Sequence, residues 1–487
     1  RTLRAGATAF NLDFIGRNIF KDTLSAGLFS EYNFIPVLDS IKGLFSAIGK
    51  DEYFEKWLYS GGSGSEFMSL NRDKLQQQFN KLRKESQTNK NIKIITNPLD
   101  FIEAWGEFSE QATRLGVYKK ALKKKGNDLE GMLTAALASR DTTTDFSRTG
   151  PGFTRQYNKI AAFFNANLQG VDLALRVAKR DKGKFLLRAL LYITLPSIAF
   201  YLLNKDDPEY EEMPQYRKDM FWMFKTGNTW WHIPTPYEWG VLFGALPVRA
   251  LRYLGENDPK AFDGWAEQFK DAILPNYIPT VFLPMMEAMT NTDTFRNIPI
   301  VPEGEKYRKP SDQYGPYTSS TAKAFGKIFN VSPRVVDHFI RGYFGGVGVS
   351  LANTLGKGLE LVGAVEKKVE PSKSIASKIP VVRGLTYDAY RSPQSVDDFY
   401  TALNDLEAEY RRERDDKDIK LWQFKDAKRL RKMRKAQEEL RDLRKEYNSV
   451  YANNKISSKQ KQGQLSYINL KMINVARQAM GKPKIKG

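Results

Sequence analysis

Apolar side chains recur every three or four residues along most of this chain, and this spacing is the feature that most constrains its fold. The clearest run is 153–175, where seven apolar residues follow one another at spacings of 4, 3, 4, 4, 3 and 4. An α-helix completes a turn in about 3.6 residues, so such a run lines one face of a helix. The sequence has no evident strand-rich stretch. We therefore predict an all-α fold, built as an extended multi-helix bundle.

Proline and glycine interrupt this helical pattern and indicate where the domains meet. Prolines are dense from Pro196 to Pro316 and glycines from Gly342 to Gly363, and both residues break or weaken helices. From Asp397 onward the chain becomes highly charged. We predict four regions: an N-terminal helical domain at 1–145, a central helical domain with a marginal hydrophobic helix and an aromatic-rich segment at 146–300, a Pro/Gly-rich connecting region at 301–395, and a charged, basic C-terminal helical hairpin at 396–487.

The composition allows a large core and indicates an anionic partner. The 487 residues are 41% apolar, which is enough for several folded units. Lys and Arg number 76 against 56 Asp and Glu, so the formal charge is +20. The mean hydropathy of −0.50 excludes a polytopic membrane protein but leaves room for one or two inserted segments.

The residue types available argue against an enzyme. The chain has no cysteine, which excludes disulfides, thiol catalysis and Cys-ligated metal sites. Its two histidines, His232 and His338, have no evident nucleophile or carboxylate at a catalytic spacing. We expect no catalytic residues, no metal and no cofactor, although an enzymatic domain could precede this chain in a longer polypeptide.

One apolar run raises the question of membrane insertion. Ala189–Leu203 contains fifteen uncharged residues, whereas a spanning helix needs about 20. Extension back to Phe185 adds Arg188, whose long side chain can reach the bilayer surface. Basic residues precede the run and acidic residues follow it, which would place its N-terminal flank in the cytoplasm. The alternative is a buried core helix kinked at Pro196.

Four of the eight tryptophans lie within eighteen residues, 222–239, directly after this run. Tryptophan favours the lipid headgroup level because its ring is apolar and its N–H requires a polar partner. The alternative for this segment is ordinary core or loop packing. Our candidate membrane-engaging residues are Ala189, Leu190, Leu191, Ile193, Leu195, Ile198, Phe200, Leu202, Leu203, Trp230, Trp231 and Trp239.

A basic cluster marks the C-terminal region. Its members are Lys425, Lys428, Arg429, Arg431, Lys432, Arg434 and Lys435. The last 41 residues add eight Lys or Arg and no acidic residue. Such a surface would bind DNA or RNA phosphates without reading sequence, or attract anionic lipid headgroups. The alternative is a solvated, salt-bridged helix with a seam for a partner.

Five strings along the chain resemble a large polyvalent protein-associated domain of phages. They are Asn11–Leu24 (NLDFIGRNIFKDTL), Ser109–Tyr118 (SEQATRLGVY), Ala138–Gly150 (ASRDTTTDFSRTG), Phe163–Arg176 (FFNANLQGVDLALR) and Ile468–Gly481 (INLKMINVARQAMG). The order of features is also similar to the C-terminal part of internal virion proteins of short-tailed phages.

The resemblance implies delivery into a host. Such proteins are stored in the capsid interior near the portal, enter the host envelope with the DNA and help to form a translocation conduit. The expected partners are further copies of the chain, other ejection proteins, the portal, phage DNA and the host inner membrane. Two alternatives remain: a packaged DNA-binding host-takeover factor of the antirestriction type, and a static capsid or tail component.

Overall fold

The protein is predominantly α-helical, as predicted. The computed structural model describes residues 12–62, 98–142, 164–227, 229–256, 260–273, 281–294, 298–315, 317–363, 369–379, 382–387, 393–417 and 420–485. The first half of the clearest helical run, 153–163, lies outside these residues, and its second half is helical.

The described residues of the N-terminal part, 12–62 and 98–142, form five helices. They are α1 (Leu12–Phe29), α2 (Leu38–Gly49), α3 (Glu52–Tyr59), α4 (Pro98–Lys125) and α5 (Leu129–Arg140). Trp57 is fully buried among α3, α4 and α5, and its indole N–H donates to Ser139 Oγ at 3.2 Å. Asp51 and Asp128 begin α3 and α5 by accepting hydrogen bonds from backbone N–H groups of the first turn. Such caps satisfy donors that a helix start leaves unpaired.

Helices α2 and α4 cross with their backbones in contact. A Cβ atom placed on Gly43 would lie 1.9 Å from the Ala112 carbonyl oxygen, and one placed on Gly116 would lie 2.3 Å from the Asp39 carbonyl oxygen. Only glycine allows so close an approach. The crossing therefore fixes which face of α2 points inward.

Two long helices of the central part each include a wider π-helical turn. The first is α7 (Lys182–Asn204), which follows α6 (Phe164–Arg180) and has its π turn at Leu190–Thr194. The short helices α8 (Pro208–Glu211) and α9 (Gln215–Met220) follow. Helix α10 spans 237–256, and its π turn is Val241–Ala245.

The aromatic-rich segment forms a β-hairpin, which the sequence analysis missed. Strand β1 (Phe221–Thr226) pairs antiparallel with β2 (Thr229–Pro234), and β2 pairs with the short strand β5 (Thr386–Tyr387). Side chains of β2 alternate between half-buried and buried, as expected for a strand with one covered face. The signal was present in the sequence: two runs rich in aromatic residues flank Gly227-Asn228, and such a pair predicts a tight turn between two strands.

The central part ends with two helices and two short strands: α11 (Trp265–Ile273), α12 (Leu283–Thr290), β3 (Thr292–Asp293) and β4 (Ile298–Pro299). The connecting region carries α13 (Glu303–Lys306), α14 (Ser320–Phe329) and α15 (Pro333–Leu361), with single 3₁₀ turns at Pro310–Asp312, Ala376–Lys378 and Arg383–Leu385. Helix α15 is kinked at Gly345, which has a φ of 56°.

Three helices make up the C-terminal unit. They are α16 (Gln394–Lys417), α17 (Ala427–Ala452) and α18 (Ser458–Ala479), with a 3₁₀ turn at Leu421–Gln423. Helices α17 and α18 pack as the predicted charged hairpin, and Phe399 and Leu403 of α16 complete their shared core. Lys461 is buried in this unit and donates to the carbonyls of Val369 and Tyr451 at 2.7 and 2.8 Å. The linker before α16 is thereby held against the hairpin.

Candidate functional site

Helix α7 packs on the protein through one row of buried side chains and through half-buried neighbours such as Phe200, which stacks on Trp222. The row is Phe185, Ala189, Ile193, Ser197 and Tyr201, all buried and spaced four residues apart. In a regular α-helix each step of four residues overshoots a full turn by about 40°, so the row would spiral around the helix. The wider turn at Leu190–Thr194 absorbs part of that drift. The π turn therefore helps to keep the contact row straight.

The opposite face of α7 is a surface of exposed leucines. Seven of them are between 44% and 71% exposed: Leu186, Leu187, Leu190, Leu191, Leu195, Leu202 and Leu203. The helix has 23 residues. In its most apolar 18-residue stretch the mean hydropathy is 1.8, and 22% of that stretch is buried. It is the one helix within the described part of the chain that is long and apolar enough to cross a membrane. At 1.5 Å per residue it measures about 35 Å, against a hydrocarbon core of about 30 Å.

The predicted membrane-engaging residues of α7 divide between its two faces. Leu190, Leu191, Leu195, Leu202 and Leu203 are exposed, and Ile198 and Phe200 are half-buried. Ala189 and Ile193 are buried in the contact row. The structure therefore brings five of the nine predicted residues of this helix together on one apolar surface.

The predicted tryptophans lie on the inner side of α7 or on the hairpin. Trp230 is buried in a core, and its indole N–H donates to Glu209 Oε2 at 2.6 Å. Trp231 is half-buried and stacks on Phe224 with ring centroids 6.2 Å apart. Trp239 is half-buried and packs edge-on against Phe185 of α7.

Trp230 is therefore buried inside the protein, whereas the sequence analysis predicted that it would lie at the lipid headgroups. The reason is the hairpin: alternate side chains of β2 point into the protein, and Trp230 lies on the inward-pointing face together with His232. Its N–H finds its polar partner in a carboxylate of the protein. In this conformation the exposed leucines of α7, and not this tryptophan, form the apolar surface.

Helices α7 and α10 meet at their π turns. A Cβ atom placed on Gly244 would lie 2.7 Å from Ser197 Oγ and 3.4 Å from Ile193 Cγ2, so the two backbones are close. Thr194 Oγ1 donates to the carbonyl of Phe243 at 2.6 Å across this contact. Small residues and a hydroxyl-to-carbonyl bond at a crossing are typical of helix pairs in membranes, although tight soluble bundles also use them.

The basic cluster lies on the outer surface of the C-terminal unit. Leu430, Met433 and Leu440 turn the inner face of α17 into the core, which leaves the basic residues outside. Arg434 is half-buried and pairs with Glu407 at 3.2 Å, and Lys432 donates to the Gln478 carbonyl at 2.7 Å. The other members are exposed and make no ion pair with the described residues: Lys425, Lys428, Arg429, Arg431 and Lys435. Five positive charges on about three helical turns are therefore available to phosphate groups.

The two histidines occupy packed positions. His232 is buried on β2, and loss of hydration lowers its pKa to about 3. His338 Nε2 lies 3.0 Å from Glu287 Oε2, and the other oxygen of Glu287 accepts from Thr294. A nucleophilic hydroxyl requires the imidazole base next to it. Here the Glu287 carboxylate lies between the Thr294 hydroxyl and the His338 imidazole, so the three groups do not form a nucleophile–base pair.

One comparison with known proteins gives a match. Residues 207–382 match the family model described as large polyvalent protein associated domain 38, which covers about a third of the chain and runs from α8 to the loop before β5. The match confirms the predicted resemblance, although it lies between the fourth and fifth of the strings that suggested it. It indicates a phage-associated protein and suggests a virion-related location. No curated protein and no solved structure matches the chain significantly.

Proposed function

We propose that this chain, about a third of which matches a large polyvalent protein associated domain, is an internal virion protein that a phage ejects into its host. It is stored in the capsid near the portal and helps to form a conduit for DNA across the cell envelope. The observation that carries the proposal is α7, a helix of spanning length that is buried along one side and exposes seven leucines.

Such a helix suits a protein that is folded in the virion and enters a bilayer later. Release of α7 withdraws Phe185 and Ile193 from the core that they share with Leu28 and Phe29, and lipid covers these two side chains of α7 again. The loss of cover over Leu28 and Phe29 is part of the cost of release. Near the bilayer centre each leucine contributes about 0.3–0.6 kcal/mol to insertion. Two buried polar residues of α7, Ser197 and Asn204, add to the cost, and Asn204 lies at the end of the helix, where it would be close to the headgroups.

The charges at the two ends of α7 give the insertion a direction. Four basic residues lie at its start: Lys179, Arg180, Lys182 and Lys184. Five acidic residues follow its end: Asp206, Asp207, Glu209, Glu211 and Glu212. Because basic flanks stay on the cytoplasmic side, the N-terminal end of α7 would face the host cytoplasm. In the conduit, further copies of the chain and other ejection proteins would surround the DNA.

Flotation with vesicles of phosphatidylcholine and phosphatidylglycerol tests this proposal. Leu191, Leu195 and Leu202 are exposed, so their replacement by Gln leaves the packed face of α7 unchanged. We expect the unmodified chain to float with the vesicles and the triple variant to remain at the bottom of the gradient.

A matched control uses another helix. The same change at three exposed leucines of α15, Leu351, Leu355 and Leu361, removes as much apolar surface and should leave flotation unchanged. Equal flotation of the α7 variant and the unmodified chain would refute the membrane role.

The exposed basic cluster supports a second candidate, a packaged DNA-binding factor that acts in the host. This function predicts sequence-independent DNA binding that weakens steeply with salt. Replacement of both Lys428 and Arg431 by Gln should lower the slope of log affinity against log salt by about two, because each phosphate contact contributes about 0.9. Replacement of Arg412, which lies among carboxylates on α16, should leave the slope unchanged.

A static particle component is distinguished by the fate of the protein. An ejected protein is present in full virions and missing from virions that have released their DNA. A static component remains in both.

A further inference from the structure

Helix α2 is inverted relative to an ordinary helix of a soluble protein. Its buried residues are small or polar: Asp39, Ser40, Gly43, Ser46 and Ala47. Its exposed residues are large and apolar: Leu38, Ile41, Phe45 and Ile48, of which Phe45 is 71% exposed. Four large apolar residues at helical spacing form one continuous outward row, here called the α2 row. A soluble helix normally turns such a row toward the core.

The orientation of α2 is fixed by the hydrogen bonds of its inner face. Ser40 Oγ donates to Thr23 Oγ1 at 2.8 Å and lies 3.1 Å from Thr113 Oγ1. Lys119 Nζ donates to Ser46 Oγ at 2.6 Å.

The buried carboxylate of Asp39 strengthens this anchorage. It accepts from the Ile35 N–H at 2.8 Å and pairs with Lys42 and Lys120, both at 3.1 Å. Rotation of the helix to bury the α2 row would break the bonds to Thr23 of α1 and to Thr113, Lys119 and Lys120 of α4, and would separate the backbone contact at Gly43. The outward row is therefore built into the fold.

The segment that leads into α2 adjoins α7. A Cβ atom placed on Gly27 of α1 would touch both Pro36 Cγ, at 2.4 Å, and Tyr192 Cδ2 of α7, at 3.2 Å. Ile35 and Val37, on either side of Pro36, are also exposed. Apolar side chains therefore continue from the π turn of α7, across Pro36, to the α2 row.

The charges beside the α2 row are balanced. Lys42, whose side chain is 64% exposed, pairs with the buried Asp39 at 3.1 Å, and the exposed Lys50 is followed by Asp51 and by the exposed Glu52 and Glu55. A helix with an exposed apolar row binds at the boundary between headgroups and acyl chains through that row. With 12 residues, about 18 Å, α2 is too short to span the hydrocarbon core.

We propose that α2 is an interfacial membrane anchor, which lies in the plane of a bilayer with the α2 row in the acyl region beside α7. The inference rests on the proposed membrane role of α7 and adds a second, separately testable contact with lipid. Continuity with the spanning-length helix favours lipid over a second copy of the chain as the partner of this row.

The absence of cysteine allows each position to be probed separately. Single substitutions Phe45→Cys, Leu191→Cys and Trp422→Cys, each labelled with the environment-sensitive fluorophore NBD, place a reporter on the α2 row, on α7 and on an exposed site of the C-terminal unit. With vesicles of phosphatidylcholine and phosphatidylglycerol, we expect blue-shifted, brighter emission at Phe45 and Leu191 and an unchanged spectrum at Trp422. Vesicles of phosphatidylcholine alone should give a similar response at Phe45, because the apolar row makes the contact with lipid.

A paired substitution measures the contribution of the row. Ile41→Glu with Phe45→Glu should lower vesicle partitioning about tenfold, or about 1.4 kcal/mol. The control, Trp422→Glu with Tyr467→Glu, changes two exposed aromatic residues outside the proposed surface and should leave partitioning unchanged.

The outcomes separate this inference from the proposed function. A response at Leu191 without one at Phe45 overturns the anchor and leaves the role of α7 intact. A response at Phe45 alone supports the anchor and refutes insertion of α7, and no response at either site overturns both. A response at Phe45 that rises with protein concentration and needs no vesicles assigns the row to a second copy of the chain and overturns the anchor.

Discussion

Arg477 joins the C-terminal unit to the central part of the protein through a buried ionic contact. Its side chain is 6% exposed, and Nη1 donates to Glu212 Oε1 at 3.0 Å and to Glu211 Oε1 at 2.8 Å. The Glu212 side chain is 1% exposed and also accepts from the N–H and the hydroxyl of Ser395, at 3.0 and 2.6 Å. One carboxylate therefore ties together α18, the start of α16 and the loop after α8.

Replacement of Arg477 by Met tests the strength of this junction. Methionine keeps an apolar stem in place but leaves the buried carboxylate of Glu212 without its cation. Removal of one partner of a buried pair costs about 3–5 kcal/mol. The two hydrogen bonds from Ser395 persist, so we expect a value near the lower limit, about 3 kcal/mol. For a cooperative unit of about 150–250 residues, a loss of about 3 kcal/mol lowers Tm by roughly 6–12 °C.

Thermal unfolding followed by circular dichroism measures the change, and a double-mutant cycle attributes it. Glu212→Gln removes the charge and retains an acceptor for Ser395, so Arg477→Met with Glu212→Gln should be more stable than Arg477→Met alone. The coupling free energy should reach about 1.5 kcal/mol or more. As a control, Lys445→Met removes the exposed pair with Asp442 and should leave Tm unchanged. Additive effects, or a fall no larger than that of the control, would refute the reasoning.

Three further predictions follow from individual positions. Gly43→Ala places a methyl group 1.9 Å from a carbonyl oxygen of α4 and should cost about 3 kcal/mol in thermal unfolding, whereas Gly49→Ala, with open space around its Cβ, should be neutral; equal effects would contradict the close crossing. Thr194→Val removes the 2.6 Å hydrogen bond to α10, should destabilise the protein by about 1–2 kcal/mol and should increase vesicle flotation, since it frees α7. Burial lowers the pKa of His232 to about 3, below about 6.5 in the unfolded chain, so as pH falls from 6.5 the unfolded state alone takes up the proton. Stability should therefore decline by up to about 1.4 kcal/mol per pH unit toward pH 3, and denaturant titrations across this range should give a flatter profile for His232→Asn.

Features that depend on residues close in sequence were predicted well. Helical spacing identified the all-α class, and the uncharged run Ala189–Leu203 located the spanning-length helix. The β-hairpin was missed because the tryptophans were interpreted as a lipid-facing group. The alternation of β2 and the turn at Gly227 carried the information, but helical periodicity elsewhere dominated the interpretation.

Residue order by itself determined the helices, the length of the apolar run and the position of the basic cluster at the start of α17. These properties are set within one or two helical turns, where spacing translates directly into geometry. Only the tertiary structure decided which face of each helix is covered. Glu212 and Arg477 are 265 residues apart, and the outward row of α2 follows from a backbone contact between Gly43 and α4. Burial arises from such distant contacts, and an apolar row in the sequence has the same pattern whether protein or lipid will cover it.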